Sequence, residues 1–104
     1  MTFILVYATF KDTGEAEKII RHLLEQQLIA CGNIFPVTSF YRWKDEIASS
    51  SEITALLKTR KDNWEKVKTY IESVHSYEIP CVIRLEEVES NESFAAWIQA
   101  ETKE

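Results

Sequence analysis

Glycine, proline and cysteine are scarce in this chain of 104 residues, with two of each. So little glycine and proline leaves no room for long linkers, and we predict one domain over residues 1–104. The polar residues 101–104 are the one candidate tail. The cysteines, Cys31 and Cys81, have no CxxC spacing and form no close Cys/His pair in the sequence. They therefore argue against a disulfide scaffold and predict reduced thiols in the cytoplasm.

The sequence also lacks a basic excess and a long apolar run. Its 17 acidic and 12 basic residues give a formal net charge of −5, which argues against a general binder of nucleic acids or anionic membranes. No apolar run approaches the roughly 20 residues of a membrane-spanning helix. Residues 1–12 have no positive region before a short apolar run, so they predict a strand rather than a signal peptide. We expect neither nucleic acid nor membrane as a partner.

Catalytic motifs are missing too. The sequence has no glycine-rich phosphate loop, no nucleophile–base signature and no EF-hand loop. Its composition, with 45% hydrophobic and 28% charged residues, is that of an ordinary globular protein. We predict that the protein is not an enzyme.

What the chain does have is a long segment of strand-forming residues at 29–43, IACGNIFPVTSFYRW. β-Branched and aromatic side chains suit a pleated, half-buried surface. The part from Cys31 to Trp43 is more than twice as long as a typical strand of about five or six residues. Pro36 cannot donate a backbone hydrogen bond, so it belongs on an edge strand or at a bulge. We predict a long edge strand that extends beyond its own sheet.

Three further segments are predicted to form strands: residues 3–9, 52–59 and 81–88. The first has apolar residues at both odd and even positions, so we expect it in the centre of a covered sheet. Residues 44–51 are polar and contain three serines. They are predicted to connect the long strand and its successor in an antiparallel hairpin.

Helical patterns follow Asp12, Asp62 and Asn91. Asp12 and Asp62 are predicted N-caps, because each has a glutamate three positions on in the spacing of a capping box. His22 lies on the polar face of the first helix, where we expect a solvated side chain. The order β-α-β-β-α-β with a terminal helix predicts an α+β fold, a ferredoxin-like sandwich whose helices cover one face of an antiparallel sheet.

A long edge strand with an aromatic end needs a cover. Residues 40–43 would expose apolar area beside unpaired backbone groups, which is a template for aggregation. Closed association of identical copies is the simplest remedy. We therefore predict a homo-oligomer that forms through residues 31–43.

Specific residues along the whole chain form a recognisable pattern. They are residues 30–34 (ACGNI), Pro36, Ser39, Tyr41, Trp43, Lys44, Glu52, Lys58, Thr59, residues 75–80 (HSYEIP), Trp97 and Ile98. This pattern resembles the signature of the CutA family of divalent-cation tolerance proteins. The resemblance implies a ferredoxin-like subunit in a tight homotrimer, joined through edge strands and similar in assembly to the PII signalling trimers. It also implies a role in tolerance of divalent metals, copper especially.

The chain departs from the family pattern at three turns. Ser76 stands where the family usually has proline, Asp45 where it commonly has glycine, and Ser90 near another frequent glycine. Ser76 lacks the ring that fixes φ, so we expect the junction between His75 and Tyr77 to be looser.

The candidate metal ligands are His75, Glu78, Cys31 and Cys81. An imidazole at His75 could bind a metal ion with Glu78 orienting it or joining it, although a cation at a helix C-terminus is the alternative interpretation. Thiolates favour Cu(I) and zinc, but the spacing of a metal site is absent and each cysteine could simply be a small buried side chain. We expect no required cofactor, with copper or another divalent ion as the species bound.

The second candidate site is an inter-subunit cleft with Tyr41, Trp43, Glu52, Lys58 and Tyr77. Apolar walls with a few polar groups are typical of small-ligand sites, although the aromatics could equally belong to an interface or a core. Two functions remain open. One is a homotrimeric divalent-cation tolerance protein that binds divalent or soft metal ions. The other is a PII-like sensor or assembly module that binds a small metabolite or anion between subunits.

Overall fold

The computed structural model describes residues 2–86 and 88–103 as an antiparallel sheet with helices. The elements are β1 (Ile4–Phe10), α1 (Thr13–Glu25), β2 (Cys31–Trp43), β3 (Glu46–Thr59), a 3-10 turn (Lys61–Asn63), α2 (Trp64–Val74), β4 (Val82–Leu85) and α3 (Glu92–Glu101). The strand order is β2-β3-β1-β4. The predicted α+β fold is confirmed, with the proline-bearing β2 at an edge. None of the helices in the described ranges is long and apolar enough to cross a bilayer.

The main core lies between the sheet and helices α1 and α2. Alternate side chains of β1, including Val6 and Phe10, are fully buried on the helical face. Leu23 of α1 and Ile71 of α2 are fully buried in the same cluster. Each such side chain contributes about 1.5–3 kcal/mol relative to leaving it exposed. This core fixes the sheet on which the candidate site is built.

Helix α1 begins at the predicted cap. The Asp12 carboxylate accepts a hydrogen bond from the Glu15 backbone N–H at 2.8 Å. The Glu15 carboxylate in turn accepts from the backbone N–H of Lys11 at 3.2 Å, one residue before the donor of a standard capping box. The local sequence therefore determines this helix start.

The prediction of Asp62 as a cap was wrong. A 3-10 turn precedes α2, and its N-cap is Asn63, which makes no side-chain capping bond. Asn63 is fully buried, and its amide nitrogen donates to the Leu28 carbonyl oxygen at 3.2 Å. The contact of Asn63 with Leu28, in the connection between α1 and β2, decides this helix start, rather than the capping-box spacing.

The hairpin between β2 and β3 is longer than predicted. The prediction that residues 44–51 form a polar connection was wrong. Only Lys44 and Asp45 form the turn, and their φ angles of 49° and 65° are those of a type I′ hairpin turn. The strands pair continuously from Cys31 opposite Lys58 to Trp43 opposite Glu46. Cross-strand pairing carries the polar, serine-rich segment into β3, because strand formation depends on the partner as well as on local propensity.

The far half of this hairpin extends beyond the sheet, as predicted. β1 pairs with β3 only as far as Ile53. Residues 37–43 and 46–52, which we call the ribbon, have no strand partner among the described residues other than each other. Register and alternation place Tyr41 and Trp43 on one face of the ribbon and Phe40 and Ile47 on the other. The ribbon is therefore apolar on both faces.

Two strand boundaries differ from the predictions. β1 covers Ile4–Phe10 rather than residues 3–9. β4 covers only Val82–Leu85 rather than residues 81–88, because it pairs with the short stretch of β1 from Leu5 to Ala8. Glu87, within the predicted strand, lies outside the described residues.

The prediction of a tail at residues 101–104 was wrong at Glu101, which ends α3, and at Thr102, which is buried, while Glu104 lies outside the described residues. The Thr102 hydroxyl donates to the Ile98 carbonyl oxygen at 2.7 Å and accepts from Arg60 Nε at 3.0 Å. Arg60 Nη2 also donates to the Thr102 carbonyl oxygen at 2.8 Å. The guanidinium group thus fastens the end of α3 to the chain beyond β3.

The sequence predicts a solvated His22 side chain, but the structure packs it against Tyr70. Its ring stacks on Tyr70 of α2, with centroids 4.2 Å apart and planes 13° apart. Both side chains are half-buried. The pair joins the two helices on their outer side.

Candidate functional site

The junction at residues 75–80 leads from α2 to β4 and is held by His75. Its Nε2 donates to the Thr9 carbonyl oxygen at 2.7 Å, and its Nδ1 accepts from the Tyr77 N–H at 3.1 Å. The ring also stacks on Phe10, with centroids 5.1 Å apart. Because both nitrogens have partners within the chain, His75 in this conformation positions the junction and presents no lone pair outward.

Glu15 holds the next residue of the junction. Its second carboxylate oxygen accepts from the Ser76 N–H at 2.9 Å. Burial acts to raise the pKa of Glu15, but hydrogen bonds from Ser76 and Lys11 outweigh it, so the pKa lies below its ordinary value of 4.5. A proline could not donate this bond. Ser76 therefore lacks the rigid ring but gains an attachment to α1.

Tyr77 reaches a buried carboxylate. Glu52 lies on β3 where the ribbon leaves the sheet, and it is only 9% exposed. Tyr77 Oη donates to Glu52 Oε2 at 2.9 Å. Burial first, and then this hydrogen bond and the negative charge of Glu52, raise the pKa of Tyr77 well above its ordinary value of 10.0. The phenol therefore stays protonated and keeps its bond at neutral pH.

Cys81 precedes β4 and lies near the same carboxylate. Burial and the charge of Glu52 raise the pKa of the Cys81 thiol, against a smaller opposing effect of a Thr9 hydrogen bond. The thiolate is the metal-binding form of cysteine. At neutral pH this thiol is therefore protonated and poorly prepared to bind a metal ion by itself.

A cleft of about 780 Å³ opens between the ribbon and the junction. Its apolar wall includes Tyr7, Tyr41 and Trp43, and its polar groups include Glu52 and Tyr77. This volume is within the range of about 300–1,000 Å³ that small-molecule sites occupy. A small ligand in this open cleft would contact aromatic surface and the buried carboxylate of Glu52.

The structure gathers four of the five predicted cleft residues: Tyr41, Trp43, Glu52 and Tyr77. Lys58 is not among them, because it lies far along β3, opposite Cys31. There its ammonium group donates to the Asn33 side-chain oxygen. The sequence alone does not show that the Glu52 end of β3 lines the cleft and the Lys58 end does not.

The four predicted metal ligands are dispersed. Glu78 and Cys81 line the cleft, and His75 lies next to them in the chain with its nitrogens engaged. Cys31 begins β2, at the opposite edge of the sheet from β4. Burial raises the pKa of its thiol, and the Lys58 charge opposes this. Within residues 2–86 and 88–103, no three His, Cys, Asp or Glu side chains are grouped to hold a metal ion.

Sequence reasoning missed the functional contributions of Thr9 and Glu15. Thr9 ends a mostly apolar predicted strand, and a polar residue at the end of such a run is only a weak signal of a site. Glu15 was interpreted only as part of a helix cap. Its contact with Ser76 joins residues 61 positions apart, which no local pattern indicates.

Comparison with known families gives a match over nearly the whole chain. A family model described as CutA1 divalent ion tolerance protein matches residues 4–101. The divalent-cation tolerance protein CutA of Pyrococcus horikoshii is 42% identical over 100 residues, which cover 96% of this chain and 98% of the relative.

Solved structures agree with the sequence comparison. The crystal structure of CutA1 from Pyrococcus horikoshii superposes with a TM-score of 0.92 at 40% identity, covering 97% of this chain and 99% of that one. A protein from Archaeoglobus fulgidus, described as the periplasmic divalent cation tolerance protein CutA, gives a TM-score of 0.94 at 33% identity, again over 97% and 99%. Sequence and fold therefore point to the same relatives.

Proposed function

Because this chain belongs to the CutA1 family of divalent ion tolerance proteins, we propose that it acts as a homotrimer in the response to divalent or soft metal ions, with copper as the first candidate. The exposed apolar side chains of the ribbon are the observation that supports this proposal. Phe40 and Ile47 on one face are 74% and 78% exposed, while Tyr41 and Trp43 on the other are 42% and 39% exposed. An isolated two-stranded hairpin is at best marginally stable. A closed ring of copies would cover the more exposed face of every ribbon, that of Phe40 and Ile47, in the same way.

The metal ion would bind where copies meet. Cys31 and Cys81 belong to opposite edges of one sheet, so a single chain cannot bring both thiols to one ion. Neighbouring copies in a ring could bring such edges together, and soft thiolates would suit Cu(I). Glu78 is exposed and available, whereas His75 would join only after releasing the Tyr77 N–H. We therefore propose ligands from more than one copy.

Light scattering tests the assembly. We expect a mass three times that of one chain at micromolar concentration. A Phe40→Ser/Ile47→Ser double variant should dissociate at higher concentrations than the parent, because it removes apolar area from the ribbon. Leu24→Ser is the control, since Leu24 is an exposed apolar residue of α1, 39% exposed. A monomeric parent protein would contradict the trimer.

Calorimetric titration with Cu(I) under reducing conditions tests the metal function. Cys31→Ser/Cys81→Ser should lose most of the binding, and Glu78→Gln should weaken it. His22→Gln, on the outer side of the helices, serves as the control. Equal binding by the parent and the double cysteine variant would eliminate the proposed thiol site, and no binding by the parent would eliminate direct metal binding.

The cleft beside the ribbon supports a second candidate function, a PII-like sensor or assembly module that binds a small metabolite. Its volume of about 780 Å³ and its aromatic wall favour this alternative. A thermal-shift screen of metabolites tests it, because a ligand that binds the folded protein raises its melting temperature. Stabilisation by a metabolite, without any effect of copper, would favour the sensor over the metal function.

We also propose a cytoplasmic location. Both cysteines are free, and reduced thiols are typical of that compartment. The Archaeoglobus fulgidus relative is described as periplasmic. Cell fractionation followed by immunodetection would decide, and recovery outside the cytoplasmic fraction would contradict the proposal.

A further inference from the structure

The Glu52 carboxylate is largely buried at the cleft and has one hydrogen-bond donor among the described residues. It is 9% exposed and receives a hydrogen bond from Tyr77 through one oxygen, Oε2. In the described part of the chain, no other donor bonds to it and no cation forms an ion pair with it. A buried ionised carboxylate is costly unless it is paired and hydrogen-bonded. Its second oxygen has no donor among the described residues, and Glu52 lines the cleft, so this oxygen can accept from a positively charged partner there.

The charges lining the cleft have the sign that such a partner requires. Two carboxylates, Glu52 and Glu78, face one ammonium group, that of Lys11. Lys11 forms no ion pair with either of them within residues 2–86 and 88–103. An anionic ligand would therefore meet net repulsion.

The side chains that line the cleft favour an organic cation over a bare metal ion as its ligand. Metal ions need several oxygen, nitrogen or sulfur ligands, and the described residues offer no group of three at this place. Tyr7, Tyr41 and Trp43 instead supply aromatic surface. Aromatic rings attract ammonium and guanidinium groups through cation–π interactions and accept the apolar body of a ligand.

We infer that this cleft binds a small organic cation, whose ammonium or guanidinium group pairs with Glu52 and whose apolar body lies against Tyr41 and Trp43. Tyr77 is a positioning residue, since its hydroxyl orients the carboxylate. The inference rests on the second proposed function, small-molecule binding beside the ribbon, and adds the charge and chemical class of the ligand.

Three probes of similar size and different charge test the inference: 2-phenylethylamine, 2-phenylethanol and 3-phenylpropionate. Each is titrated into isotopically labelled protein while the indole N–H signal of Trp43 is followed by NMR. The amine should bind about tenfold more tightly than the alcohol, and the propionate more weakly still. Glu52→Gln keeps the shape and the acceptor for Tyr77 but loses the charge, so it should weaken amine binding about tenfold or more. Glu17→Gln, on the exposed side of α1, should not change it.

The outcomes separate the inference from the function on which it rests. If the alcohol or the propionate binds as tightly as the amine, the cleft is a small-molecule site but the charge inference is wrong. Amine binding that is unchanged in Glu52→Gln also overturns it. If no probe binds and Glu52→Gln alters the oligomeric mass, a side chain of another copy is the partner of Glu52 and the inference fails. If no compound in the metabolite screen stabilises the protein, the sensor function is wrong too. The copper titration tests the metal function separately.

Discussion

Tyr77→Phe removes a single hydroxyl group, but it should lower the free energy of unfolding by more than so small a change suggests. The hydroxyl donates to Glu52 at 2.9 Å, and Glu52 is 9% exposed. A hydrogen bond to a charged group contributes about 1.5–3 kcal/mol. Because no other group among the described residues donates to this carboxylate, we expect the loss to fall within that range. In a domain of this size it corresponds to a decrease in melting temperature of about 10 °C.

Urea denaturation at one fixed protein concentration measures the effect, because unfolding of an oligomer depends on concentration. Tyr7→Phe is the matched control. Tyr7 lines the same cleft, but its hydroxyl makes no hydrogen bond within the described ranges. That variant should change the free energy of unfolding by less than about 0.5 kcal/mol.

A double-mutant cycle with Glu52→Gln isolates the pair. Tyr77→Phe should cost much less in the Glu52→Gln background, because the carboxylate charge is already gone. Equal effects of Tyr77→Phe and Tyr7→Phe, or additive effects of Tyr77→Phe and Glu52→Gln, would show that the contact carries no special stability. That result would refute the reasoning about the buried carboxylate.

Three further predictions concern pH and packing. The raised pKa of Tyr77 means that its contribution to stability is complete below its ordinary pKa of 10.0 and is lost as pH rises above it, so alkaline denaturation curves should lose this component in Tyr77→Phe. The lowered pKa of Glu15 gives stability that is present above its ordinary pKa of 4.5 and lost as pH falls below it, so acid titration should show Glu15→Gln converging on the parent protein. Gly32→Ala places a Cβ 2.7 Å from Leu57 Cδ2 in the core, so it should lower the free energy of unfolding, measured by urea denaturation, by about 1–3 kcal/mol. Gly14→Ala is the control: its Cβ would lie 3.5 Å from its nearest neighbour, so it should not show this overpacking cost.

Much of the fold could be predicted from local patterns. Asp12 and Glu15 mark a helix start by spacing alone, because capping bonds span three residues. Pro36 places its strand at an edge, because it has no N–H to donate to a neighbour on that side. The alternation of elements then leaves few ways to arrange the sheet, and the structure has the predicted one.

The candidate site could be predicted only in part. The family resemblance implies that Tyr41, Trp43, Glu52 and Tyr77 share an inter-subunit cleft. These four line one cleft of a single chain, and its place between subunits stays a prediction. Lys58 was named with them but lies elsewhere. The resemblance identifies residue types in order along the chain, whereas membership of a cleft depends on strand register and on the path of the junction.

The sequence by itself determined the order of the elements, the edge position of β2 and the need to cover its aromatic end. These depend on periodicity, turn chemistry and composition, which act over a few residues. Only the tertiary structure decided that residues 46–51 extend β3, that Ser76 is tied to Glu15, and that Tyr77 bonds to Glu52. Each of these joins segments through pairing or hydrogen bonds, and such contacts form only after the chain has brought distant segments within about 3 Å of one another.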